Sequence, residues 1–535
     1  MVEDRCLALH ADGAIDLLTL GDDGFEGIAP HDFFTLQHFL NRALPRLSSD
    51  PDRVMGLVEA LVAAGGDDMA SNAPNGALVE WCRADTARGR AVVDAAWAGD
   101  RRAGAHLTFA LQGLSAIEEA RRFVTDLDDE RRLSGMTALG RIPDPDPASR
   151  AETLRILQSA LGNRQDDRLA AHVVQSTAAM MSQDGAPSAL GLETLRRALA
   201  APGDGARNRA AHILWSYPAI VSDASLDILL PVLLEVNAEH GGTLREVDIA
   251  LRQLLAGPFW ARGLDLMAGL LSRREAPIPL RVFKSTAHAI GRAPSPILSR
   301  AVCTWMLSGK SKLCAALTEV LSREERGERE LDLDPADLPV DEDRLVSLCR
   351  KVAGWLFMTP RLAGGALVSV LAVCGPTAAP AVQALLSGVL LRSYGGLHER
   401  LDQLDAAHPA KARVAAAVAD NAVYLAGLHS VPRLKELRPS DSQRRIAHLH
   451  QVDAMRAAKV AADEESVFMK LVRHQTVLHG VRTLSFLTDP SGVTHPFRME
   501  LHSHRIEMEM PRMQVSDPVG LQLLLQTLRL EGVSA

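Results

Sequence analysis

The spacing of apolar and polar positions changes character along the chain. At the N-terminus two short apolar runs, RCLALH (5–10) and IDLLTL (15–20), flank Asp12-Gly13. Such a dipeptide between apolar runs predicts a β-hairpin with a type I′ turn. From Pro30 the period lengthens. APHDFFTLQHFL carries an acidic residue in its first turn, and DPDRVMGLVEALVAAGG ends on the stop signal Gly65-Gly66; both predict helices. Helices are expected to about residue 325. Near the C-terminus the period shortens to two: VRTLSFLT, the turn Asp489-Pro490-Ser491-Gly492, and THPFRMELHSHRIEMEM (494–510) predict a three-stranded antiparallel meander. Pro496 removes a ladder donor from its middle strand and predicts a bulge there.

Between residues 130 and 295 the helical pattern repeats. Ala170-Ala171-His172-Val173-Val174, Ala210-Ala211-His212-Ile213-Leu214 and Ala250-Leu251-Arg252-Gln253-Leu254 lie at successive shifts of 40 residues. Helix ends of one kind recur before Pro143, Pro218, Pro258 and Pro294. A period of 36 to 40 in paired helices, with Arg132 to Gly140 and Arg281 to Gly291 as its best local matches, resembles the HEAT-type α-solenoids. The resemblance implies helix pairs that stack into an extended array. Equivalent positions of neighbouring repeats would then lie side by side, His172 next to His212. Two histidines among Ala, Val and Ile with no third ligand favour packing or capping over a metal.

The stretch Ser322 to Arg344 is dense in charge, holds two prolines and lacks an apolar stripe, which reads as an exposed linker or acidic loop. The 30 residues Leu362 to Leu391 carry no formal charge, long enough to span a bilayer, but CGPTAAP (374–380) splits them into two pieces too short to do so. A buried helical hairpin is the expectation, with no membrane span. The expected organisation is therefore an N-terminal hairpin plus helices over 1–125, HEAT-like repeats over 126–321, an acidic linker over 322–344, a second helical region over 345–480, and a β meander plus C-terminal helix over 481–535.

Composition agrees with a mainly α class. Aromatic residues make up 4% and hydrophobic ones 47%, and Ala, Leu and Arg, all strong helix formers, dominate. The net charge of -8 excludes a surface that is basic throughout, though not a local basic groove. The six cysteines never approach CxxC spacing, so neither a zinc ribbon nor a disulfide framework is indicated. They read as reduced thiols, and the acidic start Met-Val-Glu-Asp lacks the order of a signal peptide. A cytoplasmic location is expected.

Candidate chemistry is sparse. Ser308-Gly309-Lys310-Ser311 holds the GKS of a phosphate-binding loop, but Thr304 stands where the first glycine belongs and the context is helical. Arg433, Lys435, Arg438, Arg444, Arg445, Arg456 and Lys459 exceed the acidic residues of their segment by four and are the nucleic-acid-binding candidates. Arg473, followed by a polar residue and then by His479, resembles the motif of the HEPN ribonucleases. That resemblance implies phosphate binding by Arg473 and acid–base work by His479.

In the C-terminal stretch, a tight turn at Ser503-His504 would oppose Leu501 with Ile506, Met499 with Met508 and Phe497 with Met510, so the methionines belong to a core face. The other face would gather Glu500, His502 and Glu507, the metal candidates, beside Arg498 and Arg505, and a salt-bridged surface is the expectation there. No cofactor is implied. The sequence therefore points first to a non-catalytic scaffold or adaptor binding protein partners, and second to a helical-repeat protein that binds nucleic acid.

Overall fold

The computed structural model describes residues 2–530 apart from 23–24, 26–27, 67–71, 163–165, 274, 277, 325–329, 433–438, 466–481, 489–492 and 501–510. The protein is mainly helical and divides into two compact units, Met1–Glu328 and Arg329–Val533.

Sequence signals account for most helix boundaries of the first unit. Asp50, Asp85, Asp100, Asp128, Asp146, Asp166, Ser188 and Ser222 each accept hydrogen bonds from backbone N–H groups of the helix they precede. Each cap stabilises its helix by about 1 kcal/mol. Prolines 143, 218, 258 and 294 follow the ends of the helices Asp129–Arg141, Asp204–Ser216, Gly241–Ala256 and Lys284–Gly291.

Those helices belong to one row. Ala73–Ala84, Arg101–Leu114, Asp129–Arg141, Asp167–Gln183, Asp204–Ser216, Gly241–Ala256, Lys284–Gly291 and Ser311–Glu324 pack each on the next. The intervening helices form a second row, in which Ile117–Val124, Pro147–Ala160, Ala189–Ala198 and Asp223–Leu233 pack in turn, as do Trp260–Leu271 and Ser295–Met306. The three sequence fragments related by shifts of 40 all fall in the first row. Glycines let the helices approach closely: a Cβ on Gly113 would lie 2.6 Å from the Cys82 Cβ, and one on Gly140 would lie 2.9 Å from the Ser176 Cα.

The N-terminal hairpin is not formed. Residues Val2–Ala11 are a helix, and Gly13, at φ 72, closes it instead of turning a hairpin. A glycine with positive φ serves both ends equally, and apolar runs of this length do not separate the two periods. Glu3 and Asp4 start the helix and bind Arg42 and Arg46 of the helix Pro30–Ala43 and the turn that follows it. By contrast Pro51–Gly65 ends at Gly66, φ 58, where the glycine pair predicted a stop.

In the second unit the uncharged stretch is a buried helical hairpin, Pro360–Val373 followed by Ala379–Leu385, which continues as a π-helical segment over Leu386–Leu391. Among the described residues no helix is long and apolar enough to cross a membrane. Within the segment expected to be an exposed linker or acidic loop, Leu331 and Leu333 are buried, and the Leu333 N–H donates to Ser369 Oγ at 3.1 Å. The terminal helix Pro518–Leu530 packs on Glu342–Trp355. There Arg529 Nε donates to the Gly354 carbonyl at 2.9 Å, and its guanidinium lies 4.9 Å from the Trp355 ring centre.

Strands Arg482–Thr488 and Thr494–Glu500 pair antiparallel, Thr488 opposite Thr494 and Arg482 opposite Glu500. The register runs through Pro496, opposite Phe486, without the expected bulge. A proline fits an unbroken ladder where its nitrogen faces away from the partner strand. The expected third strand, residues 505–510, lies outside the described residues.

Candidate functional site

Among the described residues the structure brings polar side chains together along the first row of helices. Asn75, Glu80, Arg83 and Phe109 line a depression of about 410 Å³ that ends at Arg141. Arg141 also lines a second depression of about 330 Å³, with Thr137, His172, Gln175, Arg209 and Tyr217. His172 and Arg209 in turn border a third of about 710 Å³, with Asp167, Asp204 and His240. Shared residues join the three into one groove crossing six successive helices of the row.

Cross-helix hydrogen bonds near the repeat length hold the groove in shape. Thr137 Oγ1 lies 2.9 Å from His172 Nδ1, Gln175 Nε2 donates to the Tyr217 hydroxyl at 2.7 Å, and Ser176 Oγ donates to the Met136 carbonyl at 2.7 Å. The sequence separations are 35, 42 and 40 residues. Arg168 forms a bidentate pair with Glu130 at 2.6 and 2.9 Å, so its charge is answered.

The middle depression has a different balance. Its lining contains Arg141 and Arg209 and no carboxylate. Arg141 ends the helix Asp129–Arg141, with its guanidinium 5.4 Å from the Phe109 ring centre. It is reached by solvent, yet the groove walls crowd it: desolvation lowers its pKa, and repulsion from Arg209 adds to the effect. A guanidinium stays charged at neutral pH all the same. Burial depresses the His172 imidazole to about 4, with Arg209 and Arg168 adding, so it is neutral at pH 7. Burial also raises the Tyr217 pKa, against the hydrogen bond from Gln175 and the pull of both arginines.

His172 and His212 do line one depression, as their spacing predicts, and both are engaged. His212 Nδ1 lies 3.2 Å from Glu246 Oε2, and its Nε2 lies 2.9 Å from Ser216 Oγ. Glu246 is also held by Trp215 Nε1 at 2.7 Å. Of the expected packing or capping role, the contacts show side-chain hydrogen bonding between helices for both histidines.

Among the described residues, none of the candidate nucleic-acid, catalytic or metal residues read from sequence lines these depressions. Arg444, Arg445, Arg456 and Lys459 are exposed on the helix Asp441–Glu465, where Arg444 pairs with Asp441, and Arg456 with Asp453 at 3.8 Å. Arg433, Lys435, Arg438, Arg473, His479, His502 and Glu507 lie outside the described residues, and Glu500 ends the second strand. Among the described residues no group of three or more His, Cys, Asp or Glu could hold a metal ion.

Arg141 and Arg209 were not singled out, although Arg209 carries a signal. It immediately precedes the repeated Ala-Ala-His, where the equivalent positions one repeat away are Leu169 and Ile249. A charge in an otherwise apolar repeat position marks a face that its neighbours bury.

No family model matches the sequence, and no curated protein matches it either. Among solved structures, the crystal structure of an engineered protein aligns over 76% of this chain and 99% of its own at 14% identity, with a TM-score of 0.26. A likeness of that size carries no argument about fold or function.

Proposed function

We propose that this chain is a non-catalytic scaffold or adaptor whose helix pairs stack as a HEAT-like α-solenoid and hold a protein partner along one face. The observation that carries the reading is the joined groove. Each of six helices contributes polar side chains in turn, an arrangement that suits an extended peptide segment better than a small substrate needing convergent groups. Cys82, within the helix Ala73–Ala84, adds no reactive thiol to it: it is buried, and its thiol is pushed up to about 12 by desolvation. Affinity purification from the native host at low salt, with and without nuclease, tests the proposal. Proteins that co-purify and survive nuclease are expected; a protein recovered alone and monomeric counts against the scaffold.

A second reading is nucleic-acid binding through the helix Asp441–Glu465. What favours it is the exposure of Arg444, Arg445, Arg456 and Lys459 on one element. Its signature is affinity that falls steeply with salt. Charge reversal at Arg444 and Arg445 without loss of affinity removes it.

A further inference from the structure

We propose that the depression between Arg141 and Arg209 binds a phosphoryl group, a doubly charged oxyanion carried on a side chain of the peptide partner. The inference deepens the scaffold reading and rests on the groove being its binding face.

Charge balance is the first argument. Elsewhere in the groove arginines have carboxylate partners: Arg83 has Glu80, and Arg168 has Glu130. Arg141 and Arg209 have no carboxylate partner among the described residues, and they repel each other. Of the acidic groups nearby, Glu246 is held by Trp215 and His212, Asp167 by the N–H groups of Gly205 and Ala206, and Asp204 lies against His240, while Glu239 lines the neighbouring depression. Two guanidinium groups without a carboxylate match a phosphate monoester, with about two negative charges and three acceptor oxygens, better than they match a single carboxylate.

Donor chemistry is the second. The Tyr217 hydroxyl already accepts from Gln175, so its own proton is left to donate. Arg141, Arg209 and Tyr217 all line this one depression. His172 is neutral and adds no charge of its own. The third argument is size. At about 330 Å³ the depression holds several times the ~30 Å³ share of one water, enough for a phosphorylated side chain and the backbone bearing it.

The test titrates the purified full-length protein with a degenerate phosphoserine peptide pool, the same pool unphosphorylated, a pool with glutamate in its place, inorganic phosphate, and a single-stranded oligonucleotide. The phosphorylated pool is expected to bind roughly tenfold or more tightly than the other peptides. Arg141→Gln and Arg209→Gln should each remove that preference. Arg196→Gln, on the exposed surface of Ala189–Ala198, should leave it intact. Unchanged binding in both variants overturns the proposal. So does equal binding of the glutamate pool, binding of inorganic phosphate alone, or preferential binding of the oligonucleotide. If Arg141→Gln fails to fold, the solvent-exposed Arg209→Gln decides. Host partners captured equally by both variants would sink the phosphoryl site and spare the scaffold; phosphopeptide binding with no captured partner would do the reverse.

Discussion

Asp167 and Gly205 stand 38 residues apart, and the carboxylate of the first accepts the backbone N–H of the second at 2.8 Å. Asp167 Oδ1 also takes the N–H of Ala206 at 3.0 Å, so one helix of the row caps the start of the next. Glycine is needed at that start, because a Cβ on Gly203 or Gly205 would come within 2.3 or 2.9 Å of the Asp167 carboxylate. The device recurs where Asp248 accepts the N–H groups of Ser285 and Thr286 at 3.0 and 2.8 Å. Neighbouring helices of the row are thus joined by hydrogen bonds as well as by apolar packing.

Removing such a cap should weaken the first unit without changing its fold. Asp167→Ala is expected to cost about 1–2 kcal/mol. Asp248→Ala should cost more, since Asp248 is 7% exposed and also accepts from the Thr286 hydroxyl at 2.6 Å, leaving buried donors unpaired. Denaturant midpoints check both, and the denaturant slopes should not change.

Substitutions at two glycines should act with opposite signs. A Cβ on Gly135 would lie 2.7 Å from the Phe123 Cβ and 2.8 Å from the Ala120 carbonyl, so Gly135→Ala must push its helix away from Ile117–Val124 and should destabilise by about 1–3 kcal/mol. Gly104, within Arg101–Leu114, has nothing within 4 Å of an added Cβ, and Gly104→Ala should stabilise by about 0.5–1 kcal/mol. Thermal melts of the two variants, shifted in opposite directions, would bear this out.

Acid should weaken the first unit through His172. Its folded pKa, about 4, lies below the ordinary 6.5, so the unfolded chain takes up the proton first. Stability is therefore full above pH 6.5 and falls as pH drops from 6.5 toward 4, by at most about 3 kcal/mol for this group. Desolvation gives His106 a shift of the same sign. His172→Gln should flatten the pH dependence of the unfolding midpoint across this window, and an unchanged profile would contradict the assignment.

The helix Asp441–Glu465 should exchange its amides faster than Asp167–Gln183. Its described side chains are exposed save for half-buried Val452, with Ile446, Leu449, Met455 and Val460 between 51% and 67% accessible. Asp167–Gln183 buries nine residues. Helical stability comes mostly from the packed face. Hydrogen exchange with mass spectrometry separates the two, and equal protection would show that the exposed helix is covered in solution.

The sequence by itself determined what local physics controls. The acidic first turn after Pro30, the glycine stop at Gly65-Gly66 and the prolines at 143, 218, 258 and 294 marked helices of the first unit, and the shift of 40 marked one row of them. The proline-split segment 362–391 was legible as a buried hairpin because neither half is long enough for anything else. The N-terminal residues were misread because RCLALH is too short to distinguish a period of 2 from one of 3.6, and the ion pairs of Glu3 and Asp4 with Arg42 and Arg46 favour the helix. Only the tertiary structure decided the groove. Arg141 and Arg209 lie far apart in sequence on different helices, each unremarkable among many arginines. Their shared, carboxylate-free depression exists because Asp129–Arg141, Asp167–Gln183 and Asp204–Ser216 pack in succession along the row.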